Sequence, residues 1–427
     1  MKAFLLTMIG WGVVCSAFAQ DISLRHDFGG KTLDTLATLV LRFNDSQKGK
    51  GRVVLQDVHG LENREALPHL ALLDPDDAME FFGTRPRFRP LHEVMAEAGQ
   101  KLDGARFYPQ VADAVDDASG RIQALPMALS LPVLLTNRAA LRKAGLDPDR
   151  PAKTWWELQK VAGAVLDGGG KCPLTTTRFA WVHAENVSTQ AGEAVVGQVD
   201  KVDRVRINSM INVKHLALLA SWQKSQYFHY SGPGGEGGRR FLSGECAMLT
   251  GESSLYADAR RAGIDVGMGP LPYYNDVYGP RPTDVLLDGA GLWVLAGHTR
   301  NDYALIARFI NFLLRPEVQK EWVRDTSYMP MTPAAITALR DSGIPKAMLA
   351  VAQKRLAVPR KGSTRAKHGP IRDRLHEFLG EEIAPVWAAG RSAKEALDNA
   401  ASRVNEVIAP PLSMPAPGLG EAVGGKQ

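Results

Sequence analysis

The chain has 427 residues, too many for one simple core and suited to two or three domains. Its 45% hydrophobic and 23% charged content is that of an ordinary globular protein. The net charge of +5 is spread thinly, without the dense Lys/Arg runs and interleaved aromatics of a nucleic-acid groove, which excludes nucleic acid as a partner and leaves a mild attraction for anions.

Lys2 precedes a mostly apolar segment, residues 3–18, and Ala17-Phe18-Ala19 places small residues where a signal peptidase reads them. Residues 1–19 therefore read as a cleavable signal peptide, with export to the periplasm; a lipid anchor at Cys15 fits less well, because Gly12-Val13-Val14 is a poor lipobox. No later stretch holds the roughly 18 consecutive apolar residues of a membrane span. Export leaves Cys172 and Cys246, which either pair or stay as two buried thiols; an oxidising compartment favours the disulfide.

Residues 22–26 alternate as a short strand, Asp27-Phe28-Gly29-Gly30 makes a turn, and Leu33, Leu36, Leu39, Val40 and Phe43 recur at helical spacing over residues 32–44. Residues 53–58 read as a second strand, 62–72 as a helix and 78–82 as a third strand. This alternation predicts an α/β protein with a parallel sheet and ligand groups at the carboxyl ends of its strands. Residues 121–126 and 131–137 read as further strands, with Ser130 a polar residue between apolar ones. Thr154 caps the next helix and Glu157 completes a capping box. Arg178, Phe179, Trp181 and His183 cluster in 173–192, either as a stacking surface or as core.

Residues 241–256, FLSGECAMLTGESSLY, read as a strand running into a helix start, so that Ser253 or Ser254 either caps its own helix or joins an anion cradle. A strand follows at 264–270, and a long apolar strand at 285–296 is interrupted by Asp288-Gly289-Ala290-Gly291. Helices span 300–314 and 316–324, an extended loop covers 327–333, and the remainder is helical. The Pro/Gly-rich residues 410–427 read as a disordered tail.

No GxSxG elbow, HExxH or P-loop is present, and the ten histidines lack metal-ligand spacing, so neither cofactor nor metal is expected. Glu252 and Asp288 are lone carboxylates, and an exported α/β chain without a catalytic constellation points to a binder.

Four motifs then occur in order: residues 140–158 (ALRKAGLDPDRPAKTWWEL), 241–248 (FLSGECAM), 289–295 (GAGLWVL) and 327–335 (SYMPMTPAA). Together they closely resemble the extracellular solute-binding proteins of family 1, the capture components of ABC importers, over about residues 22–405. The resemblance implies a two-lobed, hinged periplasmic-binding-protein fold of type II character. Lobe 1 would comprise residues 20–130 plus about 295–335, and lobe 2 residues 131–285 plus about 336–405. It further implies a monomer that is no enzyme, holds a small polar and phosphorylated solute in its cleft and docks on ABC permease subunits. Carried over residue by residue, Ser130, Gly289, Tyr328 and Arg365 fall where the family pocket has a serine, glycine, tyrosine and arginine. Trp181 falls on the second of two pocket tryptophans, and Asp27 to Gly30 on the turn after the first strand.

Four positions depart from that pocket. Arg178 replaces the first tryptophan, Leu61 a tyrosine, Phe81 or Phe82 a glutamate, and Glu252 a serine, with Ser253 one residue later. A carboxylate at 252 beside a phosphate needs a partner, for which Arg178 is the candidate. The implied ligand is sn-glycerol 3-phosphate or a related glycerophosphodiester. A sugar or sugar phosphate on the same scaffold is the alternative, and a periplasmic hydrolase using Glu252 and Asp288, or a component feeding a sensor partner, are further ones.

Overall fold

The computed structural model describes residues 20–57, 67–73, 87–117, 119–199, 202–277, 279, 284–342, 344, 346–358 and 369–408. The signal peptide, Leu61, Phe81, Phe82, Arg365 and the tail lie outside the described residues, as does the strand expected at 78–82.

Two sheets carry the fold. The first runs β2-β1-β3-β13-β4, with β5 also paired to β13. Its strands are β1 (Asp21–His26), β2 (Arg52–Asp57), β3 (Leu70–Leu73), β4 (Phe88–Arg89), β5 (Leu125–Ser130) and β13 (Asp288–Leu295). The second runs β10-β7-β11-β6-β12. It holds β6 (Pro132–Asn137), β7 (Cys172–Thr176), β10 (Phe228–His229), β11 (Cys246–Glu252) and β12 (Val266–Pro270), while β8 (Val196–Val199) and β9 (Val202–Val205) form a separate hairpin. Two apolar cores pack against the sheets. Ile22, Leu24, Leu36, Leu39 and Phe309 belong to the first, Trp155, Leu158, Leu174, Trp222 and Leu397 to the second, and the first also takes in Val133, Leu135, Leu249 and Val266 from one face of the second sheet.

Local sequence accounts for the elements. The helix Gly30–Ser46 buries Leu36, Leu39, Val40 and Phe43, one stripe at 3.6-residue spacing against β1 and the helix Arg300–Leu313. The helix Trp155–Asp167 starts at the expected capping box, in which the Thr154 hydroxyl accepts the Glu157 amide and the Glu157 carboxylate accepts the Thr154 amide. A second box, Thr299 with Asp302, starts Arg300–Leu313.

The sheets are mixed, against the expected all-parallel arrangement. β1 pairs β2 and β3 in parallel, but β13 is antiparallel to β3, β4 and β5. In the second sheet β6 is antiparallel to β11 and β12. The cause is the crossing of the chain between sheets: β5 leaves the first at Ser130, β6 enters the second two residues later, and β13 returns beside β5 in the opposite direction. The first of the strands expected to follow Gly120 lies at Leu125–Ser130, not 121–126, and residues 70–72 of the expected helix 62–72 belong to β3.

Cys172 and Cys246 face each other across the β7–β11 pair and are bridged. Among the described residues no helix is long and apolar enough to cross a membrane.

Candidate functional site

Three crossings meet at one place. Ser130, at the end of β5, lies opposite Asp288, at the start of β13. Leu131, between the sheets, exchanges hydrogen bonds with Ser253: the Ser253 amide donates to the Leu131 carbonyl at 2.9 Å, and the Leu131 amide donates to Ser253 Oγ at 3.1 Å. Ser253 Oγ in turn donates to the Ser327 carbonyl at 3.4 Å, and the Met329 amide binds the Leu129 carbonyl at 2.8 Å. Ser253 is fully buried. It ties the crossings together, while its neighbour Ser254 faces the open space. The helix Leu255–Arg261 that follows has no side-chain cap from Ser254.

Over these crossings lies a cleft of about 390 Å³ between the sheets. Its floor is Ala128, Ser130, Asp288, Gly289 and Ala290, and its walls are Asp27, Phe28, Leu72, Leu73 and Tyr328 from the first sheet's side and Arg178, Glu252 and Ser254 from the second's. The structure thus brings together Asp27, Ser130, Arg178, Glu252, Gly289 and Tyr328. Phe28 of the turn after β1, the carboxylate Asp288 and the cradle candidate Ser254 join them.

Gly289 has φ +126°, and a Cβ there would stand 2.1 Å from the Ala128 carbonyl oxygen. Only glycine lets the β5–β13 floor close at this point. Gly289→Ala is therefore expected to cost about 2–4 kcal/mol of stability and to deform the floor, measured by denaturant unfolding.

Tyr328 follows Ser327, whose φ of +57° ends the helix Pro316–Thr326 and turns the chain toward the cleft. Its ring lies nearly parallel to Trp322, centroids 5.8 Å apart, and 6.1 Å from Phe28. Burial raises the phenol's pKa, and Asp27, Glu252 and Asp258 raise it further, so the hydroxyl stays protonated and able to donate.

Arg178 is held in a left-handed backbone conformation, φ +47°, just after β7. Its guanidinium donates to Asp288 and lies over the Trp181 ring at 5.3 Å from the centroid. Trp181 itself is fully buried behind Arg178, with its indole N–H on the Leu286 carbonyl at 2.9 Å. It reaches the cleft through Arg178 rather than by lining it. Asn186 fixes the same backbone, accepting the Leu286 amide at 2.8 Å, so the segment leading into Asp288 is pinned from both sides.

Asp288 is 1% exposed, and behind it Arg372 approaches at 3.9 Å. Arg372 makes two 2.7 Å contacts with the buried carboxylate of Glu185. Burial would raise the pKa of Glu185, but Arg372 and His376 outweigh it and hold the group ionised. Asp288 thus lies between two guanidinium groups, the second of which is shared with Glu185. Glu252 accepts a hydrogen bond from the Thr177 hydroxyl, not the expected salt bridge from Arg178. Among the described residues neither Glu252 nor Asp27 has an ion-pair partner, so the cleft presents one neutralised arginine and two uncompensated carboxylates.

Beneath Thr177 and Glu252 runs a buried chain that sequence periodicity hid. The Tyr274 hydroxyl lies 2.9 Å from His215 Nδ1, His215 Nε2 lies 2.8 Å from His183 Nδ1, and His183 Nε2 lies 2.9 Å from Thr250 Oγ1. Burial pushes His215 down to about 3 and His183 well below its ordinary 6.5. Below pH 6.5 the unfolded chain binds protons that the folded one refuses until about pH 3. Stability should accordingly be full above pH 6.5 and fall as the pH drops through this window, by on the order of 1 kcal/mol per pH unit per histidine. Thermal melts from pH 7 to 4 check this, and His215→Gln should flatten the slope.

His69, His298 and Asp302 also converge, their ligand atoms within 4.8 Å of one another. Their other bonds fix them in place: His69 Nδ1 accepts the Ser23 amide at 3.1 Å while its Nε2 lies 3.9 Å from Asp302 Oδ1, His298 Nε2 lies 3.0 Å from the Pro68 carbonyl, and Asp302 Oδ2 serves the capping box. The trio is a hydrogen-bonded joint between β1 and the helix Arg300–Leu313.

Residues 67–346 match the family described as bacterial extracellular solute-binding protein. The sn-glycerol-3-phosphate-binding periplasmic protein UgpB of Salmonella typhimurium is 34% identical over 330 residues, 75% of each chain. The Escherichia coli K12 protein of the same name is 32% identical over the same shares. Among solved structures, UgpB from Mycobacterium tuberculosis in complex with glycerophosphocholine superposes with a TM-score of 0.73 at 18% identity, covering 91% of this chain and 98% of that one. The GacH receptor of Streptomyces glaucescens, solved without ligand and with acarbose, gives 0.73 at 17% identity over the same shares. The two-lobed α/β architecture with a cleft at the crossings is the fold of those periplasmic solute-binding proteins. The chain belongs to the bacterial extracellular solute-binding proteins.

Proposed function

We propose that this protein is the periplasmic capture component of an ABC importer and that its ligand is a glycerophosphodiester with a cationic head group. One observation carries the choice of ligand: Arg178 shares the cleft with Asp27 and Glu252, which have no ion-pair partner among the described residues, beside the Phe28–Tyr328 aromatic wall. The phosphate dianion of sn-glycerol 3-phosphate would meet two like charges there. A diester brings one negative charge to Arg178 and a cation to the carboxylates and rings, where both are favourable. Tyr328 and Ser130 supply hydroxyls for the glycerol. Arg365, carried over from the family resemblance, is proposed as a second phosphate partner, and Arg365→Ala should weaken binding tenfold or more in a calorimetric titration.

No chemistry on the ligand is proposed. Asp288 is committed to Arg178 and Arg372, so it is not available to act with Glu252 as the acid or base of a hydrolase. The apolar segment before Gln20 supports cleavage and release into the periplasm, and the hinge at the crossings supports closure around the ligand and docking of the closed monomer on permease subunits.

A melting-temperature screen of the mature protein tests the reading, because a ligand that binds the native state stabilises it by mass action. Glycerophosphocholine and glycerophosphoethanolamine should raise the Tm at millimolar concentration, and sn-glycerol 3-phosphate should raise it less. A rise with maltose or another neutral sugar and none with the diesters would move the assignment to sugars, whose hydroxyls the same carboxylates can accept.

A further inference from the structure

A second cavity of about 380 Å³, nearly as large as the cleft, opens on the far side of the second sheet. It lies between the helices Arg138–Lys143 and Trp155–Asp167, above β6 and β11, and falls within the size range of small-molecule sites, about 300–1,000 Å³. Its deep wall is apolar: Leu134, Leu141 and Met248 are buried core residues, and Leu146 and Val161 are half-buried beside them. Its rim is cationic. Arg150, Lys153 and Lys160 line it, and among the described residues none of the three has a side-chain hydrogen bond or ion pair. The two acids of the rim are turned to backbone amides, Glu157 to those of Lys153 and Thr154 at 2.7 and 3.3 Å and Asp147 to that of Asp149 at 2.9 Å, and they leave the rim one net positive charge.

Apolar depth under three uncommitted cations is the arrangement that retains an amphiphilic anion: the chain leaves water while the head keeps charge-assisted contacts at the mouth. A flat docking patch for a protein would lack the depth, and a groove for inorganic anions would lack the apolar wall. We propose that this cavity is a second ligand site, separate from the cleft, that takes a small amphiphilic anion, a short aliphatic chain carrying a phosphate or carboxylate. The site stands whatever the cleft binds, since no lining residue is shared between them.

Calorimetry of the mature protein with hexyl phosphate at low salt tests it. We expect one equivalent bound, at least tenfold more tightly than inorganic phosphate or hexanol. Charge reversal at the exposed rim, R150E/K160E, should weaken hexyl phosphate tenfold or more with the Tm unchanged, and Val161→Phe should weaken it by filling the cavity. Glu252→Gln, in the cleft, should leave it unaltered. Unchanged affinity in R150E/K160E, equal binding of inorganic phosphate, or loss of binding in Glu252→Gln would each overturn the proposal. So would binding to phosphatidylglycerol vesicles without binding of hexyl phosphate, which would assign the rim to a membrane surface.

Discussion

Arg178→Ala should abolish measurable binding of any phosphate-bearing ligand, a loss of a hundredfold or more, and destabilise the protein as well. The guanidinium is the one cation among the described residues lining the cleft, and truncating one member of a hydrogen-bonded charge pair at a site typically costs about 2–5 kcal/mol in affinity. The stability effect arises from Asp288, 1% exposed, with Arg372 at 3.9 Å already paired to Glu185. Arg178 is itself 38% exposed, so solvent already screens part of the pair, and about 1–3 kcal/mol is expected rather than the ~3–5 kcal/mol of a fully buried one. Arg178→Lys separates the two effects: the charge returns and the Tm recovers, while a point charge lacks the fork needed to serve Asp288 and a phosphate together. Calorimetry for affinity and thermal melts for stability check both. Retained binding in Arg178→Ala would remove this residue from the site.

Glu252→Gln should change the ligand preference rather than the fold. The amide keeps an oxygen for the Thr177 hydroxyl and removes one of the two cleft charges that have no ion-pair partner among the described residues. sn-Glycerol 3-phosphate should then bind about tenfold more tightly and glycerophosphocholine about tenfold more weakly, each roughly 1.4 kcal/mol, with an unchanged Tm. Affinities that move together, or not at all, would show that the carboxylate does not meet the part of the ligand in which the two compounds differ.

Much of the architecture is legible in the chain because its elements obey local rules. Helical spacing marks Gly30–Ser46, a capping box marks Trp155–Asp167, and the run at residues 246–252 is a strand leading into a helix. Strand direction is not local. β13 lies antiparallel to β5 because the chain leaves the first sheet at Ser130 and returns only at Asp288, a long-range event that alternation of elements does not encode.

The site divides the same way. Gly289 and Tyr328 stand within the motifs, Ser130 and Glu252 outside them at the ends of strands, and the cleft gathers all four. Their partners come from elsewhere in the chain. Asp288 reads as an interruption of an apolar strand or as an acid–base partner of Glu252, yet it is the counter-ion of Arg178, 110 residues away. Aromatic spacing flags Trp181 without telling a cleft wall from the support behind Arg178. Ser253 and Ser254 are adjacent and chemically identical, and only the β6–β11 register turns one into the hinge and the other toward the cleft.

The central claim is that the cleft takes a monoanionic diester with a cationic head, and one calorimetric comparison on the mature protein tests it most directly. Titrated under the same conditions, glycerophosphocholine should bind at least tenfold more tightly than sn-glycerol 3-phosphate, and maltose should give no heat. Equal or tighter binding of sn-glycerol 3-phosphate, or binding of maltose alone, would contradict it.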